Sequence, residues 1–176
     1  MKIAPHRIFS VFSSGRKLFT KNLSPGKSFF AEDLVSYNGS EYREWDPSRS
    51  KLAAFIAKGA SNVGIRSKSV VLYLGASHGY TASFVSDMVQ EGFVFAVDFA
   101  PRTTRDLVFL CEDRKNMAPI MADANKPSDY VKNVKKIKEL LDNTSKLIIS
   151  AVTYFIVTFL VGVGMVIIKY EMIKAS

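Results

Sequence analysis

The chain has little material for covalent or metal crosslinks. Its 176 residues include one cysteine, Cys111, and two histidines. A single cysteine excludes a disulfide within the chain, and so few thiolate and imidazole ligands leave little material for a structural zinc site. The first residues also lack an uninterrupted apolar stretch of the length that a secretion signal needs. We therefore expect an intracellular protein that holds no metal.

Acidic residues are also in short supply. The chain carries 24 Lys and Arg against 16 Asp and Glu, which gives a net charge of +8. This excess favours a polyanionic partner, either RNA or an anionic membrane surface, although ordinary solubility produces similar compositions. A length of 176 residues is enough for about one globular domain with a core of its own.

The first 45 residues mix aromatic and β-branched residues with three turn signals. These are Ser14-Gly15, Pro25-Gly26 and Asn38-Gly39. Such a pattern predicts short antiparallel strands joined by hairpins. We assign residues 1–45 to a small β domain.

After Pro47 the pattern changes to an alternation of helices and strands. A helix with Leu52, Phe55 and Ile56 on one face is followed by the apolar run "SVVLYLGA". Two further strands, "FVFAVDF" and "MAPIMADA", are each preceded by a helical segment. This alternation predicts a parallel sheet wrapped by helices. The fold class is therefore α/β, with a partial Rossmann-like domain over residues 46–134.

A glycine-containing turn follows the first of these strands. In open α/β sheets, ligands bind beyond the carboxyl ends of the strands, where glycines such as Gly75 and Gly79 let the backbone approach. Asp98, at the end of the second strand, is placed to accept the paired hydroxyls of a ribose, and Asp123 to accept the amine of an adenine. The turn departs from G-x-G-x-x-G, which favours S-adenosylmethionine over a dinucleotide. The alternative is a tight strand-to-helix turn that binds nothing.

The last part of the chain, residues 135–176, differs in composition. A lysine-rich helical stretch leads into residues 147–168, which carry no charge over 22 positions. Three explanations fit this segment. It is a transmembrane anchor, or two buried strands interrupted at Gly162 and Gly164, or the product of a broken or fused reading frame.

Five motifs together resemble the fibrillarin family, in its archaeal form. They are "LFTKNLSPGKSFFAEDLV", "EYREWDPSRSKLAAFI", "VLYLGASHGYTASFVSD", "FAVDFAPRTTRDL" and "PIMADANKP", which span roughly residues 2–134 in unbroken order. The resemblance implies a small β domain followed by a methyltransferase domain that uses S-adenosylmethionine. It also implies a cofactor seat that comprises Gly75, Ala76, Thr81, Asp98, Phe99, Asp123 and Ala124. His78 departs from the family pattern. Its side chain is expected either to crowd the cofactor site or to point to solvent.

The family carries out ribose methylation with a Lys-Asp-Lys-His set. By resemblance, Lys51 in "RSKLAA" is the first lysine, and Lys169 in "VIIK" is a weaker candidate for the second. No motif after Val134 matches the strand that carries the aspartate, and the histidine has no counterpart. We predict no metal ligands.

The resemblance implies two candidate functions. The first is an RNA 2'-O-methyltransferase of the box C/D guide type, which acts on rRNA and tRNA. Its expected partners are a guide RNA, a Nop-domain scaffold and a kink-turn-binding protein, and its expected location is the cytoplasm. The alternative is a catalytically impaired protein that binds the cofactor or the particle's partners, with a membrane anchor at residues 147–168.

Overall fold

The structure, a computed structural model, describes residues 2–135 and 166–170. The chain begins with a five-stranded antiparallel sheet in the order β1-β2-β3-β5-β4. Its strands are β1 Ala4–Pro5, β2 Val11–Ser14, β3 Lys17–Lys21, β4 Leu34–Tyr37 and β5 Ser40–Trp45. This sheet agrees with the antiparallel strands predicted for this region.

Two of the three predicted turns close hairpins. Asn38 and Gly39 connect β4 to β5 with φ values of 48° and 73°, the left-handed geometry that two-residue hairpin turns require. Ser14-Gly15 leads from β2 into β3, where Ser14 pairs with Lys17. Pro25-Gly26 lies instead in the long connection between β3 and β4, so it turns the chain without joining adjacent strands.

The second sheet has the order β8-β7-β6-β9. Its elements are β6 Val70–Leu74, α2 Tyr80–Met88, β7 Phe93–Asp98, α3 Pro101–Glu112, β8 Met117–Met121 and β9 Val166–Tyr170. Strands β6, β7 and β8 run parallel, and β9 is antiparallel to β6. All six residues of β7 are buried, as expected for a central strand covered on both faces. This confirms the predicted parallel α/β architecture.

A short helix, α1 Lys51–Ala57, lies between the two sheets in sequence. Leu52 and Ile56 are buried, as the helical spacing predicted. Phe55, which the same spacing placed on the inner face, is 41% exposed. Ala53 is fully buried in its place. The prediction for Phe55 was wrong because a helix of seven residues has a narrow inner face, here formed by Leu52, Ala53 and Ile56.

Residues from the two predicted domains share one hydrophobic core. Trp45, the last residue of β5, stacks on Phe84 of α2 with ring centroids 5.1 Å apart and planes 7° apart. The cluster around these rings includes residues of both sheets, among them Leu18 and Val71. A second cluster fills the other face of the parallel sheet, where Tyr130 packs from the helical residues 128–135. The antiparallel sheet is thus packed directly on the methyltransferase-like unit.

The described residues contain no helix that is long and apolar enough to span a membrane. Most of the apolar run at 147–168 lies outside them. Its last three residues belong to β9, which agrees with the alternative in which part of the run forms strands. The predicted basic helix after residue 135 also lies outside the described residues.

Candidate cofactor-binding and active site

Residues 75–79 form a loop that curls over the end of β7. Gly75, Ser77 and Gly79 have φ values of 74°, 51° and 89°, so three of the five residues are in the left-handed region. The backbone N–H groups of Gly75 and Ala76 both donate to the carbonyl oxygen of Val97, each at 2.9 Å. These bonds fix the loop across the carboxyl ends of β6 and β7, where ligands of α/β proteins bind.

Gly79 lets the start of α2 approach α3 closely. A Cβ atom built on Gly79 would overlap Leu110 and lie 2.8 Å from Cδ2 of Leu107. Its φ of 89° is also one that other residues rarely adopt. Glycine at this position is therefore required by both packing and backbone conformation.

Asp98 connects the loop to α3. Its Oδ2 accepts from the backbone N–H of Ser77 at 2.7 Å, and its Oδ1 accepts from Ala100 N at 3.1 Å and from Thr103 Oγ1 at 2.6 Å. Burial by itself would raise the pKa of this carboxyl. These three hydrogen bonds and the nearby His78 ring outweigh burial, so the pKa of Asp98 lies below its ordinary value.

The ionised Asp98 keeps some capacity for a ligand. A carboxylate can accept about four hydrogen bonds, and the described residues supply three. The remaining lone pair can accept a ribose hydroxyl at the edge of the sheet. The sequence predicted the ligand role, but not the structural role of Asp98 in capping α3, whose N-cap residue, Ala100, makes no side-chain cap hydrogen bond.

The ends of β7 and β8 carry the other residues predicted to bind an adenosyl group. The Phe99 ring is 75% exposed directly after β7. The Met121 side chain, which was not among the predicted residues, is 62% exposed at the end of β8. Ala122 N donates to the carbonyl oxygen of Asp98 at 3.0 Å, which holds the two strand ends together. Asp123 and Ala124 follow on that segment, where Oδ1 of Asp123 accepts from Asn125 N at 2.9 Å. An exposed ring and two carboxylates on these adjoining strand ends suit a flat purine with an amine and a ribose.

Lys51 begins α1 beside the start of α2. The N-cap of α1 is Ser50, whose Oγ accepts from Ala53 N at 3.2 Å and from Thr81 Oγ1 at 3.0 Å. The structure therefore brings Lys51 and Thr81 to the same region as the loop. Sequence reasoning missed Ser50, although a serine before an apolar helical segment is a recognisable N-cap signal.

His78 is half exposed and is held by α3. Its Nδ1 lies 2.6 Å from Oδ2 of Asp106, with side-chain exposures of 52% and 38%. Of the two outcomes that the sequence suggested, the exposed side chain agrees with the solvent-facing one. The ring also adds a contact between the loop and α3.

Lys169 is far from the loop along its strand. In β9 its backbone pairs with Val71, four residues before Gly75, which is about 13 Å along β6. Among residues 2–135 and 166–170, no group of three or more His, Cys, Asp or Glu side chains is arranged to hold a metal ion.

Comparison with known proteins connects this geometry to one family. A family model described as Fibrillarin matches residues 3–176, which includes the region after residue 134 that the motifs left outside the resemblance. The fibrillarin-like rRNA/tRNA 2'-O-methyltransferase of Methanosarcina barkeri is 48% identical over 139 residues. That alignment covers 79% of this chain and 61% of the relative, so the chain matches under two thirds of that protein's length.

Solved structures show the same likeness. The Aeropyrum pernix fibrillarin with natively bound S-adenosyl-L-methionine matches with a TM-score of 0.68 and 38% identity, over 74% of this chain and 60% of that chain. A chain of a fibrillarin/Nop5p complex matches with a TM-score of 0.61 and 38% identity, over 71% of this chain and 56% of that chain. The fold, the loop and the sequence therefore agree that this chain belongs to the fibrillarin family.

Proposed function

We propose that this chain binds S-adenosylmethionine at the carboxyl edge of β6, β7 and β8. The single observation that carries the proposal is the loop of residues 75–79, fixed by its bonds to Val97 and Asp98. Asp98 accepts a ribose hydroxyl, Phe99 stacks on the purine, and Asp123 with Ala124 contacts its edge. Gly75 and Ala76 give the backbone room for the rest of the ligand, and by resemblance Thr81 completes the seat. The related Aeropyrum pernix fibrillarin was solved with this cofactor bound.

The reaction that fits this site is methylation of a ribose 2'-hydroxyl in rRNA or tRNA. The cofactor, when bound, supplies an electrophilic methyl group on a sulfonium. The protein must align the ribose oxygen with that methyl and help the hydroxyl proton to leave. Lys51 lies at the loop end of α2 and carries a positive charge that stabilises a developing alkoxide. The Methanosarcina barkeri relative carries the name of this activity.

The proposed partners are those of a box C/D guide particle. A guide RNA selects the nucleotide, a Nop-domain scaffold delivers the enzyme, and a kink-turn-binding protein completes the particle in the cytoplasm. The structural match to a fibrillarin/Nop5p complex supports the scaffold partner. The net charge of +8 supports an RNA partner, whose affinity should fall as salt rises.

A tritiated-methyl transfer assay with the assembled guide particle tests the proposal. We expect labelled RNA with the native chain and a loss of about 10²-fold or more with Lys51→Ala, the usual effect of removing a group that stabilises charge in the transition state. Lys58→Ala is the matched control, because Lys58 is an exposed lysine directly after the same helix. Equal activity of both variants would remove Lys51 from the mechanism.

The second candidate is a protein that binds cofactor or particle partners without methyl transfer. One observation favours it: no motif after Val134 matches the strand that carries the family's catalytic aspartate. Binding of S-adenosylmethionine by equilibrium dialysis, together with no transfer by the native chain, would establish this function. Absence of both binding and transfer would contradict the cofactor seat itself.

A further inference from the structure

Three hydroxyl groups from three elements meet beside the loop. Thr81, in the first turn of α2, donates from Oγ1 to Ser50 Oγ at 3.0 Å. The hydroxyl of Tyr73, in β6, is hydrogen-bonded to the Thr81 side chain. We call Tyr73, Thr81 and Ser50 the hydroxyl chain. It joins the strand before the loop, the helix after the loop and the N-cap of the helix that begins with Lys51.

The two ends of the hydroxyl chain are buried. Tyr73 and Ser50 are each 3% exposed. Burial raises the pKa of Tyr73 to about 12, against a smaller opposite effect of the Thr81 hydrogen bond, so the phenol is neutral at physiological pH. Breaking a hydrogen bond between buried hydroxyls leaves polar atoms without solvent, which is unfavourable. The hydroxyl chain therefore holds β6, α2 and the start of α1 in one relative position.

Other contacts hold residues 43–50, the segment before Lys51, against α2. Arg43 of β5 pairs with Asp87 near the end of α2, with Nη1 and Oδ2 3.0 Å apart. Trp45 stacks on Phe84 one turn earlier. Asp46 N then donates to the hydroxyl of Tyr80 at 3.1 Å. Residues 43–50 thus run along α2 toward its first turn, and the Ser50–Thr81 bond is the last contact before Lys51.

From this geometry we infer that the hydroxyl chain sets the position of Lys51 against the cofactor loop, which makes Ser50 and Tyr73 positioning residues for methyl transfer. The inference rests on the function proposed above. Displacement of a catalytic group by a fraction of an ångström lowers turnover strongly, whereas cofactor affinity depends on the loop and strand ends.

The test uses two variants that interrupt the hydroxyl chain at different points. Thr81→Val removes the central hydroxyl at nearly constant volume, and Tyr73→Phe removes the buried end. Thr81→Ser restores a hydroxyl at the centre and should rescue. Tyr37→Phe is the matched control for the tyrosine, because Tyr37 lies in β4 at the edge of the other sheet.

Three quantities are measured on the full chain. Amide hydrogen exchange at Ala53, whose N–H donates to Ser50 Oγ, reports the cap of α1 without any need for activity. Exchange at Ala53 should rise about fivefold in Thr81→Val and Tyr73→Phe, the effect expected from loss of one hydrogen bond. In the assembled particle, kcat of Tyr73→Phe should fall about tenfold while its Kd for S-adenosylmethionine stays within about twofold. Thr81→Ser should restore the native exchange rate at Ala53, and Tyr37→Phe should match the native chain in all three quantities.

Two results would overturn the inference. Unchanged exchange at Ala53 in either interrupting variant would show that the hydroxyl chain does not hold the cap. A Kd for S-adenosylmethionine that rises in Tyr73→Phe as much as turnover falls would show that the hydroxyl chain acts on cofactor binding and not on the position of Lys51. If the native chain transfers no methyl group, the proposed reaction fails and the positioning role falls with it, while the exchange data still decide whether the cap is held.

Discussion

At the scale of the residue, Asp98 links the loop to α3 and is also a proposed ligand of the cofactor. Its carboxylate accepts from Ser77 of the loop and from Ala100 and Thr103 at the start of α3. These bonds favour the ionised form and lower the pKa, in spite of burial. A group whose pKa is lowered by folding stabilises the native state above its unfolded pKa and loses that contribution as pH falls through the folded value.

Asp98→Asn should therefore destabilise the chain at pH 7 but hardly at all in acid. The neutral amide keeps the shape of the carboxylate and loses the charge that the three donors stabilise. Urea unfolding of the two proteins between pH 7 and pH 3 measures the difference. We expect the difference in the free energy of unfolding between the native chain and Asp98→Asn to shrink as the pH falls below the ordinary pKa of an aspartate. A gap that is independent of pH would contradict the role given to the ionised carboxylate.

Residue-scale roles were only partly predictable from sequence. Asp98 and Asp123 could be named because acids after strands of a parallel sheet lie at one edge. The pairing of His78 with Asp106 could not, because it joins a loop and a helix 28 positions apart. The contact of Thr81 with Ser50 could not be predicted either, since no local pattern specifies which side chains meet between two helices.

At the scale of the element, the start of α2 depends on Gly79. The sequence predicted a glycine turn there, and the structure adds the reason why the second glycine is needed. It allows close approach to Leu107 and Leu110 of α3, in a backbone conformation with φ of 89°. Loop, α2 and α3 therefore pack as one unit.

Gly79→Ala should lower the free energy of unfolding more than Gly26→Ala. Both glycines have positive φ values, 89° and 80°, so each substitution should cost about 1–2 kcal/mol of backbone strain. Only Gly79 has neighbours where the new methyl group would lie, because nothing is within 4 Å of that position at Gly26. Overpacking should add about 1–3 kcal/mol at Gly79. Equal losses in chemical denaturation would show that the α2–α3 contact can adjust.

Element positions were predicted well where the chain has long apolar runs. β6, β7 and β8 are bounded by Gly75, Pro101 and other turn or helix-start residues. Burial of β6 and β7 on both faces produces continuous hydrophobic stretches. The inner face of α1 was not predicted well, because Phe55 fits the helical spacing and yet lies outside the core.

At the scale of the whole molecule, buried charges join the two sheets. Asp87 of α2 contacts Arg43 of β5 at 3.0 Å and Arg114, between α3 and β8, at 2.7 Å. Thr20 of β3 also donates to Asp87 at 2.7 Å, and Arg43 contacts Glu32 at 2.7 Å. The two arginines and two carboxylates balance in charge. Their partners lie up to 67 positions apart, so the sequence did not reveal them.

Asp87→Asn should be strongly destabilising. The substitution leaves two buried guanidinium groups without one of their counter-charges, which costs about 3–5 kcal/mol when a buried pair is broken. Glu91→Gln is the matched carboxylate-to-amide control, since Glu91 is 3.8 Å from Lys68 in an exposed pair and should change stability little. Guanidinium denaturation followed by circular dichroism measures both. Similar small losses would show that the buried network is not what joins the sheets.

The central claim is that the carboxyl edge of β6, β7 and β8 binds S-adenosylmethionine. A titration of the isotopically labelled full chain, followed by amide chemical shifts, tests it most directly. We predict saturable shifts that concentrate at Gly75, Ser77, Phe99, Asp123 and Ala124. Saturation without shifts at these amides, or no binding at all, would contradict the account.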